Sequence, residues 1–284
     1  MKKIISLFCV LIVCFGVTGC IKRDSMENIT IYTTNYPSYF VTKKLYGKFS
    51  KIESIYPKGV NIGKYNLTEK QVKDYSDSSL FIFNGLSKEK KIVNKMRKYN
   101  KDLKIIDTTL SMEYTYDMNE LWLDPANLLM MAQNIKTGFN EYIDSYYLSN
   151  NIDQNYENLK IEVSNLDAKF KDVVLNGNTK VIAASSNMFK YLEKYGLTVY
   201  VLDPNDSNIQ ITTNEVRKLI NSGRLKYVFV RNDEEENEVI KGLGAQTQKW
   251  HTLANLSESD SNDHKDYFDI MNENLELLKN ELYK

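Results

Sequence analysis

Two histidines, His251 and His264, are the only imidazoles in the 284 residues, and that number limits the metal chemistry open to the chain. Zinc centres take three or four protein donors drawn from His, Cys, Asp and Glu. A site built on three histidines is therefore impossible in any fold. His264 comes after the polar run Ser259-Asp260-Ser261-Asn262-Asp263 and reads as an exposed ring with no task. Glu120 and Asp124 are carboxylates close in sequence. Asp124 stands before Pro125, however, and is better explained as a helix cap with proline in the first turn. There is no nucleophile elbow, no phosphate-cradling glycine loop and no histidine pair spaced for metal hydrolysis. The residues argue for a binding protein rather than an enzyme.

Cysteine chemistry is confined to the N-terminus, at Cys9, Cys14 and Cys20. Lys2 and Lys3 precede an apolar run over 4–17 that ends in Val17-Thr18-Gly19-Cys20. Small residues before such a cysteine match the bacterial lipobox, whose cysteine is lipidated before cleavage. The run is shorter than the roughly 20 residues a bilayer span takes, and its flanks are those of a signal peptide. The expectation is a signal peptide over 1–19, a lipid on Cys20 and a short polar tether over 20–28. The chain would then be anchored to a membrane rather than spanning it. Beyond Cys20 no thiol remains for a disulfide or a metal, so the fold must rest on core packing.

Charge adds an exclusion. Lys plus Arg and Asp plus Glu number 37 each, and no basic stripe marks a nucleic-acid binder. The chain after Cys20 is long enough for one large core or two linked lobes.

The elements that must position any site alternate between strand and helix. Strands are predicted over 29–34, 51–56, 80–83 and 104–107, with helices over 39–48, 68–76 and 88–99 between them. Leu80-Phe81-Ile82-Phe83 is a continuous apolar run suited to a parallel strand covered on both faces. Thr68 with Gln71 forms a capping box. A long helix is predicted over 126–148 and another over 154–173. The pattern then restarts: strand 180–184, helix 187–195, strand 198–202, helix 213–221, strand 227–230. An amphipathic helix over 269–283 closes the chain. The acidic run 233–238 reads as a solvated loop or a first helical turn. This alternation argues for parallel α/β architecture.

Six stretches in order resemble a known family. They are Thr33-Thr34-Asn35-Tyr36-Pro37 with Lys43-Lys44-Leu45-Tyr46-Gly47, Pro57-Lys58-Gly59-Val60, and Ser78-Ser79-Leu80-Phe81-Ile82-Phe83-Asn84-Gly85-Leu86. Then come Leu121-Trp122-Leu123-Asp124-Pro125-Ala126-Asn127, Phe189-Lys190-Tyr191-Leu192-Glu193-Lys194-Tyr195-Gly196-Leu197, and Asn272-Glu273-Asn274-Leu275-Glu276-Leu277-Leu278-Lys279. Behind a lipobox, they resemble the metal-binding substrate-binding lipoproteins of ABC transporters, the zinc and manganese type. The resemblance implies an α/β fold of two parallel-sheet lobes joined by one long linking helix, with the ligand cleft between the lobes. It places the N-terminal lobe at 29–124, the linking helix at 125–149 and the C-terminal lobe at 150–284. It further implies a monomer held by its lipid on the extracellular face of a Gram-positive cell membrane. The partner would be an ABC permease, and the transported ligand a divalent zinc or manganese ion.

The family binds its ion with three histidines, or two and a glutamate, plus one further carboxylate. Carried over by motif, those four places fall on Gly63, Glu120, Ser186 and His251. The resemblance therefore implies Glu120, His251 and Ser186 as metal donors, with Glu120 and His251 facing each other across the cleft. Gly63 supplies no side chain. Lys64, Asn187 and Arg231 are expected around the same cleft, Arg231 where family members often carry a glutamate. Positive groups repel a cation in a low-dielectric site and suit carboxylates or other anions. Two alternatives stay open on sequence grounds: a site repurposed for a small anionic or zwitterionic organic ligand, and an interaction or scaffold lipoprotein that has lost ligand capture. Trp122 and Tyr65 border the motifs, but an aromatic beside a buried strand is more often core.

Overall fold

Short strands of four or five residues alternate with helices, and the largely buried apolar runs Leu80–Phe83 and Val181–Ala184 mark central strands. The computed structural model describes residues 25–113 and 120–284. The expected signal peptide over 1–19 and the expected lipid site Cys20 lie outside the described residues. In the first lobe β1 (Thr30–Thr33), α1 (Tyr36–Tyr46), β2 (Lys51–Ser54), α2 (Glu69–Ser76), β3 (Leu80–Phe83), α3 (Glu89–Tyr99) and β4 (Lys104–Asp107) succeed one another. All four strands are parallel, in the order β2-β1-β3-β4. Every residue of β3 is buried, as a central strand covered by crossover helices on both faces requires. Asn35 caps α1, its Oδ1 accepting from Ser38 N–H at 2.9 Å. The Thr68–Gln71 capping box opens α2.

The second lobe repeats the plan with β5 (Val181–Ala184), a 3-10 run over Asn187–Tyr195, β6 (Thr198–Val201) and the helix Ile209–Asn221. It continues with β7 (Tyr227–Arg231), the short helix Glu238–Leu243, β8 (Gln246–Trp250), the helix Glu258–Asn262 and the closing helix Tyr267–Leu282. Its strands are again parallel, ordered β6-β5-β7-β8. Sequence spacing predicts an ordinary α-helix over 187–195, and the structure has 3-10 geometry there instead. In that geometry residues three apart eclipse, which buries Phe189 and Leu192 together. Strand β8 carries little apolar signal because Trp250 is its one buried residue.

The linking helix differs from the sequence reading of 125–149. Helix α4 (Pro125–Tyr142) stops at Ile143, which takes extended backbone angles, and Ser145 caps a new helix, α5 (Tyr146–Asn176). Apolar spacing continues through both helices and hides the break. At 31 residues and 1.5 Å per residue, α5 is about 46 Å long. It spans both lobes. Asn155 Nδ2 donates to Leu45 O at 2.9 Å and Lys44 pairs with Glu162 at 2.9 Å on the first lobe. On the second, Tyr195 Oη donates to Asp167 at 2.7 Å and Phe170 stacks on Tyr195. Helix α4 lies instead against β4, where Gly138 allows close approach to Ile106. One apolar cluster runs through both lobes and includes Trp122, Phe139, Phe170, Trp250 and Tyr267.

The tether also ends earlier than 28. Met26 is buried, and its carbonyl accepts from Tyr46 Oη at 2.7 Å and Ser50 Oγ at 3.1 Å.

Candidate functional site

In each sheet the strand order reverses between the two central strands, and in parallel sheets ligands gather at that switch point, beyond the carboxyl ends of the strands. Asn35 comes after β1 and Asn84 after β3; Ser186 comes after β5, and Arg231 ends β7. These residues meet. A cavity of about 350 Å³ is bordered by Asn35, Asn84, Glu89, Glu120, Ser186 and Arg231. Among the described residues, Asn35 Nδ2 and Ser186 Oγ are buried there without a hydrogen-bond partner.

Arg231 organises the cavity. Its Nη2 lies 2.7 Å from Glu120 Oε1 and 3.0 Å from Asp233 Oδ2, and its Nε lies 3.0 Å from Asp233 Oδ1. Glu234 Oε2 stands 3.4 Å from the same Nε. Glu120 is 4% and Arg231 9% exposed. Burial lowers the arginine pKa, but hydrogen bonds and charge from Glu120 and Asp233 raise it further, so it ends above its ordinary value. The guanidinium is charged at every pH of interest.

Glu89 adds a second buried acid, 3% exposed, with Oε2 accepting from Asn84 N–H at 2.8 Å. Burial pushes its pKa up to about 7, against the lowering influence of Thr34 and the Asn84 amide. Lys88 Nζ donates to Gly63 O at 2.8 Å and Tyr65 O at 3.3 Å, tying down the loop at the cavity mouth. Asn61 Nδ2 reaches across to Asp233 O at 3.1 Å. Below, Trp122 Nε1 donates to Thr252 O at 2.8 Å and Tyr267 Oη to Trp122 O at 2.7 Å.

Of the residues named from sequence, Gly63, Glu120, Ser186 and Arg231 border this cavity. His251 lines an adjoining space of about 240 Å³ together with Asn232, Asp233 and Asn255. The two spaces share Asp233, but Glu120 and His251 do not share a cavity. His251 Nδ1 accepts from Leu253 N–H at 2.9 Å, and Nε2 stands 3.3 Å from Asp260. Burial lowers the His251 pKa, an effect Asp260 only partly offsets. Both ring nitrogens thus have protein partners. Lys64 and Asn187 are exposed and border neither cavity, and His264 is exposed as well. Trp122 is buried at the cavity wall, while Tyr65 packs edge-on to Tyr56.

The sequence reading missed Asn35, Lys88, Glu89, Asp233 and Glu234. A signal for the last two existed: acids two and three residues beyond an arginine at a strand end are placed to fold back on it. Among the described residues no three His, Cys, Asp or Glu side chains form a group arranged to hold a metal ion. The acidic side chains bordering the cavity are Glu89, Glu120, Asp233 and Glu234, and no imidazole borders it. No helix of the described residues is long and apolar enough to cross a membrane.

Residues 31–281 match the family model described as ZnuA, zinc-uptake complex component A, periplasmic. The chain is 22% identical over 309 residues to the zinc-binding lipoprotein AdcA of Streptococcus pneumoniae, covering 98% of this chain and 61% of AdcA. It thus spans less than two thirds of that relative. It is 25% identical over 318 residues to the manganese ABC transporter substrate-binding lipoprotein PsaA of Streptococcus pneumoniae, covering all of both chains. The solved structure of the metal-dependent lipoprotein YcdH from Bacillus subtilis superposes with a TM-score of 0.75 at 19% identity, over 90% of this chain and 100% of that one. This likeness establishes the two-lobed fold.

Proposed function

The chain belongs to the zinc-uptake complex component A family, and on that premise we propose that it is the lipid-anchored, substrate-binding component of an ABC importer for a divalent metal ion. It takes the ion into the cavity between the lobes and hands it to a membrane permease. The reading includes a lipid on Cys20, a place on the outer face of the cell membrane, a monomeric state and no catalytic step of its own. The observation that carries it is the interlobe cavity itself. Asn35, Asn84, Ser186 and Arg231 come from the carboxyl ends of β1, β3, β5 and β7 and converge with Glu120 on one space. Stitched together by Asn61, Trp122 and Tyr267, the lobes suit modest closure around a small ligand better than wide opening.

Zinc and manganese are both candidates, because relatives named for each are similar to this chain. The chain differs from a four-ligand zinc site in offering carboxylates around Arg231, with His251 next door. The test is cell-associated zinc and manganese in wild-type cells, a deletion strain and the deletion complemented with the full chain, grown under restriction of each metal. A deficit in one metal, restored by the full chain, is expected. Equal content of both metals in all three strains would sink the reading.

A further inference from the structure

Resting on the importer reading, we propose that Arg231 is a resident cation that holds the cargo's place. A divalent ion then loads by displacing its guanidinium from Glu120 and Asp233.

Glu120 comes from the segment before α4 and Asp233 from the loop after β7, and what brings these carboxylates together is the positive charge between them. The guanidinium satisfies them at 2.7 and 3.0 Å. While it stands there the guanidinium neutralises the acids it bridges, and among the described residues no three His, Cys, Asp or Glu side chains form a metal-ready cluster. Once it leaves, two carboxylates face each other in a low-dielectric cavity, an arrangement that strongly favours an incoming cation.

A way out for the side chain exists. Glu234, whose side chain is 53% exposed, stands 3.4 Å from Nε at the rim. A guanidinium rotating outward keeps that carboxylate as a partner while it gives up Glu120 and Asp233. On its other side Nη1 meets Met188 Sδ, at 3.6 Å, a weak acceptor.

An independent observation indicates a ligand in the same space. Asn35 is 1% exposed and uses Oδ1 on Ser38, yet its Nδ2 has no partner and borders the cavity. Ser186 Oγ is in the same position. An amide donor and a hydroxyl cannot replace imidazole as zinc ligands, but they can hold the waters that an ion with two carboxylates retains. An oxygen-only shell with bound water suits manganese, and it forfeits the advantage imidazole gives zinc. The margin of zinc over manganese is accordingly narrower here than in a histidine site.

The experiment is calorimetric titration of the full, chelator-stripped chain with zinc and with manganese, as wild type, Arg231→Gln, Arg231→Lys and Arg231→Gln with Glu120→Gln. Expected is at least tenfold tighter binding in Arg231→Gln than in wild type, loss of that gain in the double variant, and an intermediate value for Arg231→Lys, which keeps a charge without the fork. Arg231→Lys decides the matter if Arg231→Gln does not fold: affinity at or below wild type overturns the proposal. Binding by wild type with no gain on Arg231→Gln overturns the displacement while leaving the importer reading intact. Absence of binding by every protein overturns both.

Discussion

Arg231 Nη2 lies 2.7 Å from Glu120 Oε1, joining residues 111 apart in sequence at the meeting of the two lobes. Their side chains are 10% and 3% exposed. A pair so far from water is little screened by salt, unlike the surface pairs Lys218–Glu215 and Lys241–Glu238, whose contributions are small. Asp233 supplies the second arm of the clasp. The acidic run that reads in sequence as solvated is, at its first residue, the counter-charge of a buried cation.

Removing one partner of such a pair leaves a buried charge uncompensated. Arg231→Ala is expected to lower unfolding free energy by about 3–5 kcal/mol, read by urea denaturation without metal. Replacing both partners, Arg231→Met with Glu120→Leu, should recover part of that loss, because desolvation of Glu120 and Arg231 is removed with them while Asp233, whose side chain is 21% exposed, is left without its cation. A double variant no more stable than Arg231→Ala would show that the pair contributes packing rather than charge.

Glu89 makes stability depend on pH. Its pKa is raised from 4.5 to about 7 by burial, so between those values the folded chain keeps a proton the unfolded chain has released. Stability therefore falls as pH rises from about 4.5 to 7 and is level above, with a change on the order of 3 kcal/mol from this group. Glu89→Gln mimics the protonated form and retains an acceptor for Asn84 N–H. Urea midpoints at pH 5 and pH 8 should differ less in the variant than in wild type. Equal differences would mean that Glu89 is ionised in the folded protein across this range.

Gly138 tests the packing of α4 on β4. A Cβ there would sit 2.6 Å from Ile106 Cγ1 and 2.8 Å from Cδ1. Ile106 is itself buried, so the clash is relieved only by moving core atoms. Gly138→Ala should lower stability by roughly 1–3 kcal/mol, despite the better helix propensity of alanine. A thermal melt at or above the wild-type midpoint would show that the interface yields at no cost.

Legibility in the sequence depends on range. Strands such as Leu80–Phe83 and caps such as Thr68 and Asp124 are readable, because apolar periodicity and capping act over a few residues. The alternation of strand and helix carries the two parallel lobes. The break at Ile143 is not readable, since helical spacing persists on both sides of it and the stop depends on local backbone and the Ser145 cap. In the candidate site, Glu120, Ser186 and Arg231 are reached through motif positions. Asn35 and Glu89 are not, because a strand-end amide and a first-turn glutamate look like ordinary helix caps until the fold aims them at one cavity. His251 cannot be assigned to a cavity by sequence at all. Its neighbour across the wall is decided by how the loops after β7 and β8 pack.

Tyr267 and Trp122 offer the sharpest test of how the floor of the cleft is held. Tyr267 Oη donates to Trp122 O at 2.7 Å, and Trp122 Nε1 donates to Thr252 O at 2.8 Å, with both rings buried. Tyr267→Phe keeps the ring, its stacking on Phe40 at 5.5 Å and its volume, and deletes one donor. The Trp122 carbonyl is then left without that partner in a dry interior, so a loss of about 1–3 kcal/mol is expected. Because the bond ties the closing helix to the turn that carries Glu120, the loss should show locally as well as globally. Amide exchange at residues 121–123 should accelerate more than exchange in β3 or β5. If exchange instead rises uniformly, the bond contributes to global stability but does not hold the turn that positions Glu120.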